Sequence, residues 1–62
     1  MAIMTMGKAL RLNIGDKIKR LYPKEKLEVI GAPHLEGTKV FVPIKTKAGV
    51  EFDVCHTELE NK

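Results

Sequence analysis

Tryptophan is missing from this chain, and other aromatic residues are few: one tyrosine and two phenylalanines in 62 residues. Any core it builds must therefore be aliphatic. The one cysteine, Cys55, excludes an intrachain disulfide and a cysteine-rich metal site, and it fits a reducing compartment. No apolar run approaches the ~20 residues that a membrane span needs. Residues 1–8 are too short and lack the basic leader of a secretory signal, so a cytoplasmic protein without a membrane partner is expected. There is no glycine-rich phosphate loop and no repeat or low-complexity tract. A chain this short forms one domain with little room for an enclosed substrate cavity.

What the chain does have is alternation. Val40, Val42 and Ile44 alternate with Phe41, Pro43 and Lys45, and Val50, Phe52 and Val54 alternate with Glu51 and Asp53. Between the two runs stand Thr46, Lys47, Ala48 and Gly49. Period-two patterning on both sides of a short glycine-containing connection predicts a β-hairpin with one buried face. Pro43 has no N–H to give, which places it at a sheet edge or a bulge.

The rest of the chain divides at its turn residues. Residues 1–8 show no period and read as a flexible terminus, leaving 9–60 as the domain. Leu10, Leu12 and Ile14 alternate with Ala9, Arg11 and Asn13, a short strand ended by the turn pair Gly15-Asp16. A helix over 8–21 competes, since Leu10, Ile14, Ile18 and Leu21 share helical spacing, but Gly15 in its middle costs about 1 kcal/mol. Lys17 to Tyr22 is the next strand. There Arg20 falls on the inward register and Leu21 on the outward one, a conflict that predicts a bulge near Lys19-Arg20. Leu27 and Val29 face inward on a strand from Lys26 to Ile30, and 31–38 reads as a loop. After Val54, Thr57 and Glu60 have capping-box spacing. The run is too short for a stable α-helix, so a 3-10 turn that drops Leu59 onto the core is expected. The expected fold is all-β: five short strands in a small antiparallel barrel, which removes exposed edges by closure.

The run Ile14-Gly15-Asp16-Lys17-Ile18, the strand Leu27-Glu28-Val29-Ile30-Gly31, the hairpin and the closing Thr57-Glu58-Leu59-Glu60 together resemble the SH3-like small barrels, in particular short KOW-like and Tudor-like domains and small bacterial or phage proteins of that shape. The resemblance spans about residues 14–60 and implies a five-stranded SH3-like barrel. The chain has neither a Tudor aromatic cage nor the Ala-Leu-Tyr-Asp-Tyr run and tryptophan of a proline-binding SH3 domain.

Charge is unevenly placed. Up to Lys26 there are seven cations against Asp16 and Glu25, a local excess of five, and from Leu27 onward the carboxylates outnumber the lysines by two. The candidate nucleic-acid-binding residues are Lys17, Lys19, Arg20, Lys24 and Lys26, with Tyr22 among them for stacking on a base. The alternative is that these charges are solvated and deter edge aggregation. Phe41 and Pro43 are outward on the hairpin and form a candidate partner surface, unless the segment Ile3 to Leu10 covers them. The adjacent Cys55 and His56 point to opposite faces of a strand, and His34 lies in a loop, so neither a metal site nor a nucleophile is expected. Glu51 and Asp53 share a face opposite Lys45 or Lys47, as cross-strand ion pairs do.

These readings converge on a non-enzymatic binding module without cofactor, metal or small-molecule substrate. Its expected partner is DNA or RNA, bound weakly. The alternative is a protein partner or a homodimer, engaged by β-augmentation at an edge strand around Phe41.

Overall fold

The computed structural model describes residues 3–21 and 24–60. A helix α1 (Met6–Leu10) precedes strands β1 (Lys17–Arg20), β2 (Glu25–Val29), β3 (His34–Glu36), β4 (Lys39–Thr46) and β5 (Glu51–Cys55), and a 3-10 turn spans His56–Glu58. All strand pairings are antiparallel, in the order β1-β2-β4-β3, with β5 on β4.

β4 is the central strand because it is long enough to serve three partners. One side pairs with β3 through Lys39 to Phe41 and with β2 through Ile44 to Thr46, while the other side pairs with β5 from Phe41 to Lys45. Pro43 stands where the chain passes from β2 to β3. Its carbonyl accepts the Ile30 N–H at 3.0 Å. The N–H it lacks would face the same side, and there residues 31–33 leave the ladder between the β2 and β3 pairings. Gly31 lies so close that an added Cβ would meet the Pro43 ring at 3.1 Å. The proline thus sits at a bulge, and β4 has no open edge there.

Alternation sorts the core. Ile18, Leu27, Val29, Val40, Val42, Ile44 and Val54 are buried on the inner face, and Leu59 is delivered to it by the 3-10 turn. Val50, expected inside, is 55% exposed. It stands in the hairpin turn, where its N–H donates to Thr46 Oγ1 at 3.2 Å.

Three expectations for the rest of the chain change. First, residues 4–10 pack against the sheet: the Thr5 Oγ1 caps α1 by accepting the Lys8 N–H at 3.2 Å, and Met4 and Ala9 are buried. A five-residue helix does not persist by itself; it forms here because it packs on β4. Second, the strand over Ala9 to Ile14 is absent. Its alternating Leu10 and Ile14 are 45% and 72% exposed, and the fifth strand is instead β3, inside the expected loop. Gly37, with φ +63°, allows the two-residue turn between β3 and β4. Third, β1 is unbulged, pairing regularly with β2 through Arg20 and Glu25.

The sheet does not close. Beyond Cys55 the chain turns, and the return to β1 is made by an isolated bridge between Arg20 and Leu59, with the Glu60 N–H donating to the Lys19 carbonyl at 2.9 Å. The Met4 N–H donates to the Leu59 carbonyl at 2.8 Å. The inner face is covered by α1 and Leu59 rather than by further strands. No helix among the described residues is long and apolar enough to cross a membrane.

Candidate nucleic-acid interface

The strand registers decide which cations share a face. Lys17 and Lys19 of β1 point to the outer face, away from Ile18, and lie opposite Glu28 and Lys26 of β2. Glu28 in turn lies opposite Lys45, and Lys45 opposite Glu51. One row across the sheet therefore reads Lys17, Glu28, Lys45, Glu51, with alternating sign. Lys17 Nζ and Glu28 Oε1 are 3.7 Å apart.

The next row toward the hairpin tips has a single sign. Lys19 and Lys26 are direct cross-strand partners. β4 ends at Thr46, opposite Leu27, and Lys47, in the turn that follows, lines the same surface depression as Lys26. Like charges placed directly opposite one another destabilise a sheet. Among the described residues, none of these three lysines has a carboxylate within ion-pair distance. Lys24 is exposed in the connection from β1 to β2. A shallow depression of about 170 Å³ lies on this face, lined by Lys17, Lys26, Glu28, Lys45 and Lys47, with Leu27 and Thr46.

Arg20 is drawn away from this group. It occupies the inner register with Ile18, and its Nη2 and Nε donate to Glu58 Oε1 at 3.0 and 3.3 Å. Nη1 lies 3.5 Å from Glu25, and the guanidinium stands 5.4 Å from the centre of the Phe52 ring. Sequence reasoning saw Arg20 on the inward register but did not see that Glu58 would arrive there through the 3-10 turn. Lys45 stands opposite Glu51, as the hairpin pattern predicts, while Lys47, read the same way, lines a depression with Lys26 of the neighbouring strand. The signal for Lys47 is the pairing of β2 with β4, which local patterning does not carry. Tyr22 lies outside the described residues.

Phe41 and Pro43 do not form an edge. Phe41 pairs with His34 on one side and Cys55 on the other, and the His34 ring stacks against it with centroids 6.1 Å apart. The cover is β3, not the segment Ile3 to Leu10. His34 is held in turn by Glu36, at 3.0 Å.

Cys55 and His56 are closer than strand geometry implies, because the 3-10 turn begins between them: Sγ and Nδ1 are 3.9 Å apart and both residues are buried. They do not form a thiol–imidazole couple. Nδ1 accepts the Val40 N–H at 3.1 Å, which occupies its one in-plane lone pair and places the ring proton on Nε2. Among the described residues no three His, Cys, Asp or Glu side chains converge to hold a metal ion. Comparison with protein-family models, with curated proteins and with solved structures finds no match for this chain.

Proposed function

We propose that this protein is a binding module for the phosphate backbone of nucleic acid, and not an enzyme. The reading rests on one observation: the opposed pair Lys19 and Lys26, with Lys47 around the same depression as Lys26, stands uncompensated beside a row in which charges alternate. Directly opposed lysines cost the fold some stability, and polyanion binding offsets that cost while releasing condensed counterions. Lys17, Lys24 and Lys45 extend the surface. Arg20 is left out because its guanidinium serves Glu58 and Glu25.

We read the architecture as a variant of the SH3-like barrel. The support is the strand order, with β5 on β4 and the return of Leu59 to Arg20. Docking of a protein partner at an edge around Phe41 lacks comparable support, since β4 is paired on both sides there.

Titration of labelled oligonucleotides at low salt tests the function. Binding with Kd in the range of about 1–100 μM is expected, as for sequence-independent contacts. Replacing Lys19 and Lys26 together by Glu abolishes it. If neither single- nor double-stranded oligonucleotides bind up to ~100 μM protein, the proposal is rejected.

A further inference from the structure

The layout of the lysines bears on which form of nucleic acid they meet. Single-stranded binding follows a line: a groove tracks one backbone while successive bases stack on aromatic side chains. The outer face is laid out differently. Lys19 and Lys26 stand one inter-strand spacing apart, about 5 Å, and Lys47 follows the end of β4, the next strand over. Lys17 and Lys45 lie two residues along the strands from Lys19 and Lys47, about 7 Å away. The lysines therefore occupy two rows, the second of which also carries Glu28 between Lys17 and Lys45. The shallow depression between Lys26, Lys45 and Lys47 lies within it.

The described aromatic rings are elsewhere. Phe52 shares the inner face and lies beneath Arg20. Phe41 stands at the far half of β4, stacked with His34. The elements that carry the patch are two hairpins side by side, since β4 runs antiparallel to β2 and brings the β4–β5 turn to the same end of the sheet as the β1–β2 connection. Lysines set in two rows on one face of a rigid sheet match a surface with two rows of phosphates.

We infer that this face takes double-stranded nucleic acid, contacting the phosphates of both strands without reading bases, with the β4–β5 hairpin supplying Lys45 and Lys47 as one half of the contact. The inference rests on the phosphate-binding reading above and narrows it to the duplex.

Anisotropy titrations of the full chain with a mixed-sequence duplex and with one of its strands, over a salt series, separate the two claims. The duplex is expected to bind about tenfold more tightly, with log K falling against log salt at a slope near −4, as four to five phosphate contacts give. Lys47→Gln should lower duplex affinity severalfold and reduce the slope by about 1, with circular dichroism confirming that the variant is folded. A duplex advantage below about threefold, or duplex affinity untouched by Lys47→Gln, overturns the duplex inference and leaves backbone binding standing. Absence of binding to either form removes both.

Discussion

His56 takes a place that a strand partner has vacated. The β4–β5 ladder ends at the Phe41–Cys55 pair, so the Val40 N–H, which points toward β5, faces a chain that has already turned into a 3-10 conformation. The imidazole Nδ1 accepts that proton at 3.1 Å inside the core. His56→Ala should cost about 2–3 kcal/mol, because it leaves a buried donor unsatisfied and opens a void. His56→Asn, whose side-chain oxygen reaches roughly the position of Nδ1, should recover at least half of that, as read by urea denaturation. Equal losses in the two variants would mean that the hydrogen bond contributes nothing beyond volume. Gly31 is a second residue of this kind. A Cβ there meets the Pro43 ring at 3.1 Å, and a proline ring cannot swing aside, so Gly31→Ala should destabilise by about 1 kcal/mol. An unchanged denaturation midpoint would show that the bulge relaxes freely.

At the scale of strands, stability and binding are set against each other. Lys19 and Lys26 face each other across β1 and β2. Lys26→Glu converts a repulsive cross-strand pair into an attractive one and should stabilise the sheet by about 0.5 kcal/mol. The same substitution should weaken oligonucleotide binding severalfold. A rise in Tm together with loss of binding is the expected pair of results; a fall in Tm would mean that the two side chains do not face each other across the strands. The basic character of this region was legible from composition alone, since Lys17, Lys19, Lys24 and Lys26 fall within ten residues. Which of its cations act together was not. Arg20 differs from Lys19 by one step along a strand, and that step puts it on the opposite face, under Glu58. The hairpin of β4 and β5 was equally legible, because alternation over that length has one amphipathic solution. β3 was hidden: three residues between a proline and a glycine carry too little pattern to separate a strand from a loop.

At the scale of the molecule, the segment after β5 holds the ends together. Leu59 is fully buried, its bridge reaches Arg20, and its carbonyl accepts the Met4 N–H. Leu59→Ala should cost about 3 kcal/mol, a large share of what so small a domain possesses, and equilibrium denaturation would show it. A loss below about 1 kcal/mol would mean that Leu59 does not pack into the core. Thr5→Ala, which removes the cap of α1, should cost about 1 kcal/mol. The amino-acid sequence by itself determined the strands from β1 to β2 and from β4 to β5, the inward set Leu27, Val29, Val40, Val42, Ile44 and Val54, and the descent of Leu59 into the core. It could do so because these follow from neighbouring residues and a period of two. Only the tertiary structure decided that Met4 and Ala9 cover the sheet, that the sheet stays open, and that Lys47 and Lys26 line one depression. Each of those depends on contacts between segments far apart in the chain, where the energy comes from packing and pairing rather than local preference.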